Sequence, residues 1–273
     1  MSEKEHLLQL QGASKVFSRG TIDEVRALNE VNLNINSGDF ITVIGSNGAG
    51  KTTLLNLIAG VYPPERGGKI VIEGNDISNL SEYRHARYVG RVYQDPRIGT
   101  AAKMTVEENL AMAILRGKPR GLRAATNKKH RELSRAVLAP LGLGLENRLS
   151  ALVGTLSGGQ RQALSLVMAT ISKPSILLLD EHIATLDPKT AQIVLELSET
   201  IINREKMTSL MVTHNMEVAL RYGNRLLMMH EGRVVVDMHQ EQKANLNVND
   251  LVSAFEHASG KKFADDSILL RHN

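Results

Sequence analysis

The 273-residue chain contains no cysteine, no tryptophan and few aromatic residues, and none of its apolar runs is long. Without cysteine, it can form neither a disulfide nor a thiolate metal site. Its apolar runs, such as ILLL at residues 176–179, are far shorter than the roughly 20 residues that span a bilayer. The first residues, MSEKEHLLQLQ, show no basic segment followed by an apolar one, so we expect no secretory signal and a soluble cytoplasmic protein.

Basic charge is concentrated in one stretch, Arg116 to Arg135, which holds eight Lys or Arg and one Glu and so carries +7. The remainder has 25 basic and 28 acidic residues (33 minus 8 and 29 minus 1), a charge of −3. The stretch lacks the aromatic rings that single-strand nucleic-acid binders interleave with basic groups. We interpret it first as a solvated helical face and second as a surface attracted to anionic lipid headgroups. Nucleic acid is a distant third, and we expect no such partner.

Strand and helix patterns alternate on both sides of a helical interval, which predicts an α/β fold with an insertion. FITVIG, ILLLD and SLMVTH are typical of buried strands, and RLLMMHEGRVVVDM of a hairpin that turns at Glu231–Gly232. TVEENLAMAILRG predicts a helix opened by a capping box of Thr105 and Glu108. We place an α/β core at 1–94 and 156–240, an inserted helical subdomain at 95–155 and a helical tail at 241–273.

A phosphate-binding motif stands between the strand FITVIG and a predicted helix. GSNGAGKT fits G-x-x-x-x-G-K-[ST], in which glycines let backbone N–H groups turn toward phosphate at a helix N-terminus. Lys51 would reach the β- and γ-phosphates of a nucleotide, and the Thr52 hydroxyl would bind Mg²⁺. An ordinary glycine turn is the bland alternative, and the presence of both Lys51 and Thr52 argues against it.

Two carboxylates end the strand ILLLDE. Asp180 would assist Mg²⁺ at the edge of the sheet, and Glu181 would polarise an attacking water. Taken alone, Glu181 would be read as a surface residue in a salt bridge. The segment LSGGQ at residues 156–160 argues against that interpretation, because average residue usage gives this pentapeptide by chance in about one in a thousand chains of this length or fewer.

Together these motifs resemble the ATP-binding subunit of an ABC transporter, over nearly the whole chain. They lie in that family's order: the phosphate loop, the Q-loop VYQDP with Gln94, LSGGQ, ILLLDE, the D-loop IATLD with Asp187, and VTHN with His214. The resemblance implies a P-loop ATPase fold of the ABC type, with a mixed sheet, antiparallel N-terminal strands and an inserted helical subdomain. It also implies ATP and Mg²⁺ as cofactors.

In this family two copies dimerise head to tail, and each ATP lies on the phosphate loop of one copy and faces the LSGGQ segment of the other. The resemblance implies catalysis by Glu181, His214, Gln94 and Lys51, and Mg²⁺ binding by Thr52, Gln94 and Asp180. Phe17 would stack on adenine, although membership of the N-terminal core is a serious alternative. The full nucleotide-binding set is Phe17, Gly45, Ser46, Asn47, Gly48, Ala49, Gly50, Lys51, Thr52, Thr53, Ser157, Gly158, Gly159, Gln160 and Asp187.

The resemblance further implies membrane permease partners, a periplasmic or lipoprotein substrate-binding protein in the same system, and a position at the cytoplasmic face of the inner membrane. QDPRIGTAAKMTVEENL and DEHIATLDPKTA resemble ATPases of amino-acid importers of the branched-chain and tryptophan or tyrosine kinds. An exporter of the lipoprotein-release type, a soluble ABC ATPase and a non-hydrolysing regulator are the alternatives. One departure from the family pattern is His182, where proline is common, and we expect it to alter the path of the D-loop.

Overall fold

Strands and helices alternate along the part of the chain that the computed structural model describes, which is residues 6–117 and 126–260. The strands found there are β1 (Leu8–Phe17), β2 (Val25–Ile35), β3 (Phe40–Gly45), β4 (Lys69–Ile72), β5 (Asn75–Asp76), β6 (Val89–Val92), β7 (Ile176–Asp180), β8 (Thr208–Val212), β9 (Arg225–His230) and β10 (Arg233–His239). The helices are α1 (Lys51–Ile58), α2 (Glu82–His85), α3 (Val106–Ile114), α4 (Lys128–Leu138), α5 (Gly158–Thr170), α6 (Pro188–Glu205), α7 (Met216–Arg221), α8 (Gln240–Lys243) and α9 (Val248–Ser259).

Two compact units divide the chain. The first unit comprises Met1–His85 with Lys206–Asn273, and the second comprises Ala86–Glu205. Within the described residues, no helix is both long and apolar enough to cross a membrane.

Antiparallel pairing in the first unit gives a sheet with the strand order β2-β1-β4-β5. Leu8 lies opposite Ile35 on one side and Ile72 on the other, and all three side chains are fully buried. This sheet has the antiparallel arrangement that the resemblance implies for the N-terminal strands.

Strand β3 lies in a second layer of the first unit, between two parallel neighbours. It pairs with β8 through Val43 and Val212, and with β9 through Val43 and Leu227. All six of its residues are buried, which is typical of a parallel strand covered on both faces. The antiparallel strand β10 pairs with β9 after the predicted turn, with Arg233 opposite His230.

The C-terminal helix α9 packs on the strand that carries the phosphate loop. Leu251 and Phe255 of α9 share a buried cluster with Ile44 of β3 and with Met216 and Ala219 of α7. Burial of such side chains contributes about 1.5–3 kcal/mol each. Helix α9 therefore stabilises both β3 and the helix that follows His214.

In the second unit, β6 and β7 pair in parallel, with Val92 opposite Leu179. Helix α5 packs against a core that it shares with α3, α4 and the residues before it, including Val106, Leu110, Leu138 and Leu164. Between residues 95 and 155, the regular elements of the described residues are α3, α4 and three 3-10 turns, joined by irregular segments. Part of the basic stretch, residues 118–125, lies outside the described residues.

Helix α3 begins as its sequence predicts. The Thr105 side chain accepts a hydrogen bond from the Glu108 N–H, and the Glu108 side chain accepts one from the Thr105 N–H. This capping box satisfies two N–H groups that the first turn of a helix leaves without partners. The predicted box at Thr105 and Glu108 is confirmed.

The β9–β10 turn holds the phosphate loop against β2. Gly232 N–H donates to the Ala49 carbonyl at 3.1 Å, and the Gly232 carbonyl accepts from Asn29 N–H at 2.9 Å. At Gly232 φ is 74°, and a Cβ placed there would lie 2.8 Å from the Ala27 carbonyl oxygen. Only glycine suits both the left-handed conformation and this close approach.

We expect Gly232→Ala to lower the free energy of unfolding more than Gly20→Ala does. Gly20 has nearly the same φ, 75°, but nothing lies within 4 Å of a Cβ placed there. Both variants carry a conformational cost of about 1–2 kcal/mol, so the difference between them isolates the contact with β2. Chemical denaturation of the three proteins measures it, and equal losses for the two variants would contradict the role of this contact.

Candidate active site

In the first unit, the phosphate loop runs from the end of β3 into α1. Lys51 is only 6% exposed, and its Nζ donates to the Gly45 carbonyl at 2.7 Å and the Ser46 carbonyl at 3.0 Å. These contacts hold the ammonium group inside the loop. Asn47 and Thr52 are exposed, whereas Ala49 and Gly50 are buried. Residues Ser46, Gly48 and Thr53 complete the predicted loop.

The first turn of α1 has the features of an anion site. Its N-cap, Gly50, has a φ of 98° and supplies no side-chain cap, and the turn contains no acidic residue. The N–H groups at a helix N-terminus carry a partial positive charge, which favours phosphate. The loop therefore offers backbone donors and the cation of Lys51 to the same ligand.

His214 lies close to this loop in the strand register. The Thr213 N–H donates to the Val43 carbonyl at 3.1 Å, and Val43 is paired with Val212. The carboxyl ends of parallel strands meet at the same edge of a sheet, where ligands bind in α/β folds. The Asn215 side chain caps α7 by accepting from the Val218 N–H at 3.0 Å, which fixes the chain that follows His214.

Phe17 ends β1 and is partly exposed. Its ring meets the Tyr62 ring edge to face, with centroids 5.2 Å apart and an interplanar angle of 80°. Lys15 Nζ lies 5.8 Å from the Phe17 ring centroid and 5.5 Å from that of Tyr62. The Tyr62 contact, which the sequence did not indicate, holds the Phe17 ring at the margin of the sheet and not within its core.

In the second unit, three predicted site residues lie at the carboxyl ends of β6 and β7. Asp180 is the last residue of β7, Glu181 follows it, and Gln94 lies two residues after β6. Because Val92 of β6 pairs with Leu179 of β7, Gln94 and Glu181 occupy equivalent positions, each two residues beyond its paired residue. Gln94 is exposed, and its carbonyl accepts from the Thr185 hydroxyl at 3.4 Å.

Asp180 is buried and takes part in an ion pair that the motif did not indicate. Its Oδ2 accepts from Arg91 Nη2 at 2.7 Å. Arg91 belongs to the neighbouring strand β6, 89 residues earlier in the chain, so no local sequence pattern connects the two.

Glu181 has a left-handed backbone conformation, with a φ of 46°. Its carbonyl accepts from the Ala184 N–H at 2.9 Å, which closes a turn. A non-glycine residue in this region costs of order 1–3 kcal/mol and persists where the surroundings determine it. The turn sets the direction in which the Glu181 side chain leaves β7.

His182 anchors the segment after Glu181 to α6. It is 1% exposed, and its Nε2 lies 3.0 Å from Ser198 Oγ, which itself donates to the Val194 carbonyl at 2.7 Å. Because the Ser198 proton is already used, His182 Nε2 must be the donor. Burial lowers the pKa of His182 from 6.5 to about 4, so the ring is neutral at pH 7.

Asp187 caps the start of α6. Its Oδ1 accepts from the Thr190 N–H at 3.1 Å, and hydrogen bonds from the Thr190 hydroxyl and N–H hold the pKa of Asp187 below its ordinary value. This cap fixes the end of the D-loop through a contact made inside the same chain.

The LSGGQ segment forms the N-terminus of α5. Ser157 Oγ accepts from the Gln160 N–H, and Gln160 Oε1 accepts from the Ser157 N–H, each at 3.2 Å. Ser157 and Gly158 are exposed. A Cβ on Gly159 would lie 2.2 Å from Thr190 Cγ2, so only glycine allows α6 to approach. The first turn contains no acidic residue.

The comparisons with known proteins agree on one family. The sequence profile described as ABC transporter matches residues 28–184, more than half of the chain. The chain is 43% identical over 252 residues to the tyrosine transport ATP-binding protein of Clostridioides difficile (strain R20291), with 92% of this chain and 100% of the relative covered. It is 36% identical over 221 residues to the lipoprotein-releasing system ATP-binding protein LolD of Rickettsia bellii (strain RML369-C), with 81% and 93% covered.

The fold is similar to that of the ATP-binding cassette MJ0796 in a dimeric post-hydrolysis state bound to ADP and Pi. The TM-score is 0.73 at 26% sequence identity, and the alignment covers 85% of this chain and 98% of that one. The predicted fold class is therefore confirmed.

We expect the free energy of unfolding of the wild type to fall on acidification, and we expect that of His182→Leu to fall less. The folded protein keeps His182 neutral down to about pH 4, whereas the unfolded chain takes up the proton near 6.5. The unfolded state thus binds more protons in this window, and stability present above pH 6.5 is lost as the pH falls toward 4. The wild type should lose up to about 1.4 kcal/mol per pH unit relative to the variant.

Denaturation at several pH values between 7.5 and 4 measures this difference. His257→Gln is the control, because His257 is an exposed histidine on α9. Parallel pH profiles for the wild type and His182→Leu would show that His182 does not resist protonation in the fold.

Proposed function

The chain belongs to the ABC transporter family and is an ATPase, and from that premise we propose that it powers the import of an amino acid of the tyrosine type. The observation that carries the substrate class is the 43% identity to the tyrosine transport ATP-binding protein, over 92% of this chain and the full length of that relative. The resemblance to amino-acid importers supports the direction of transport.

ATP would be held by two anion sites from different copies of the chain. One copy supplies the loop Gly45–Thr53, with Lys51 at the β- and γ-phosphates and Phe17 at the adenine. The other supplies Ser157, Gly158 and Gly159 at the γ-phosphate. The uncapped start of α1 and the exposed start of α5 support this arrangement, because both present backbone donors free of neighbouring carboxylates.

Hydrolysis would depend on three polar side chains that follow strand ends. Glu181 acts as general base on the attacking water, His214 hydrogen-bonds the γ-phosphate and keeps the water in line, and Gln94 senses the bound state. No covalent intermediate is needed, because phosphoryl transfer is catalysed by positioning and electrostatics. Asp187 transmits the state of one site to the other across the dimer.

The donor set suits Mg²⁺. Thr52, Gln94 and Asp180 offer a hydroxyl, an amide oxygen and a carboxylate, and hard oxygen ligands are those that Mg²⁺ prefers. When bound, Mg²⁺ would neutralise charge on the phosphates. The chain's own part is to hold the Asp180 carboxylate at the end of a rigid buried strand.

Partners follow from the same proposal. ATP binding would close a head-to-tail homodimer, and the helical subdomain at 95–155 would pass that motion to permease subunits at the cytoplasmic face of the membrane. A periplasmic or lipoprotein binding protein would deliver the substrate. In the proposed division of the chain, this helical subdomain is accompanied by an α/β core at 1–94 and 156–240 and by a tail at 241–273.

A lipoprotein-releasing function is the second candidate. It is supported by the 36% identity to LolD over 81% of this chain. We rank it below amino-acid import because both the identity and the coverage are lower.

We expect Glu181→Gln to abolish steady-state ATP hydrolysis, because the amide cannot accept the proton of the water, and to accumulate an ATP-bound dimer. Adding Ser157→Arg to the same chain should abolish this dimer while ATP binding to the monomer persists. Size-exclusion chromatography with light scattering, with and without ATP, measures both effects. Unchanged turnover in Glu181→Gln would reject Glu181 as the base, and loss of ATP binding by the double-variant monomer would reject the arrangement in trans.

We expect cells that carry Lys51→Ala in place of the wild type to take up less labelled tyrosine, because binding of the triphosphate is lost. The control is uptake of lysine, an amino acid of different charge. Unchanged tyrosine uptake with lipoproteins retained in the inner membrane would support the releasing function instead.

A further inference from the structure

The ion pair between Arg91 and Asp180 lies inside the second unit. Arg91 Nη2 and Asp180 Oδ2 are 2.7 Å apart, and the two side chains are 9% and 11% exposed. A buried carboxylate is costly unless its charge is compensated. Arg91 supplies that compensation before any ligand binds.

Arg91 is held in place by more than this pair. Its Cζ lies 4.6 Å from the centroid of the Tyr93 ring, within the range of a cation–π contact. The Tyr93 carbonyl in turn accepts from Gln162 Nε2 at 3.1 Å, and Gln162 is fully buried. The guanidinium is thus fixed between the carboxylate and the chain that leads to Gln94.

Arg91 offsets the charge of Asp180 at this strand end, where Glu181 adds a second carboxylate. Arg91 and Asp180 sum to zero, and the described residues contain no group of three or more His, Cys, Asp or Glu side chains that could hold a metal ion. A divalent cation that approaches Asp180 meets a carboxylate already engaged by a cation, and the repulsion between like charges opposes its binding.

We propose that Arg91 is a positioning residue that weakens divalent-cation binding at Asp180, so that the cation enters only together with the nucleotide phosphates. This rests on the proposed function, in which Asp180 assists Mg²⁺. One Asp180 oxygen stays hydrogen-bonded to Arg91, which orients the carboxylate. Because Arg91 neutralises the charge of Asp180, the phosphates supply the negative charge that attracts the cation.

The test compares Arg91→Met, which removes the charge but keeps an unbranched side chain of similar reach, with Arg91→Lys, which keeps the charge. Arg97→Met is the matched control, because Arg97 lies in the same segment, its removal changes the net charge equally, and it pairs on the surface with Asp95. The melting temperature of each protein is measured with a non-hydrolysable ATP analogue at increasing Mg²⁺ concentration.

In Arg91→Met, the Mg²⁺ concentration for half-maximal stabilisation should fall about tenfold, because the positive charge that opposes the approach of the cation to Asp180 is then removed. The wild type, Arg91→Lys and Arg97→Met should share one higher midpoint. If Arg91→Met does not fold, Arg91→Gln, which keeps a donor for Oδ2 without the charge, carries the same expectation.

An unchanged or higher midpoint in Arg91→Met or Arg91→Gln would overturn the proposal and leave the proposed function standing. Failure of the analogue to stabilise the wild type at any Mg²⁺ concentration would overturn both.

Discussion

Parallel pairing of short strands, most of whose residues are buried, is the constraint on which the candidate site depends. The hydrogen bonds of β3 with β8 and of β6 with β7 fix the register at which each strand ends. Every side chain proposed to act on the phosphates, apart from those at the start of α5, follows one of these ends within a few residues. A slip of one residue would turn the buried faces outward, so the core that excludes water also sets the position of the reacting groups.

Charges buried beside this scaffold are compensated within the chain. Arg225, which is 5% exposed, pairs with Asp39 at 3.2 Å and Asp237 at 2.6 Å, and Asp237 raises the pKa of the guanidinium. Arg91 and Asp180 are also a buried pair of opposite charges, and Asp180 is one of the residues proposed to assist Mg²⁺. The first ties strand ends together, whereas the second also limits what the carboxylate can bind.

Much of the fold and the candidate site could be read from local patterns. A few adjacent residues suffice to predict three features: the capping box of Thr105 and Glu108, the turn at Glu231–Gly232 and the strand–loop–helix around Lys51. Contacts between distant residues could not be read in this way. Three contacts depend on which elements become neighbours in the fold: Arg91 with Asp180, Tyr62 with Phe17, and His182 with Ser198. Strand β5 and helix α2 leave no signal in the sequence, because two residues and a single turn give no periodicity.

The packing of α9 has a practical consequence for recombinant work. Leu251 and Phe255 cover Ile44, the residue immediately before the phosphate loop. A fragment trimmed to the 28–184 match would lose this cover, together with β8, β9 and β10. Even a milder truncation that removes only α9 would take Leu251 and Phe255 out of the buried cluster around Ile44 and expose apolar surface. Such a fragment would self-associate, and a defect in nucleotide binding measured on it would report the missing helix and not the chemistry.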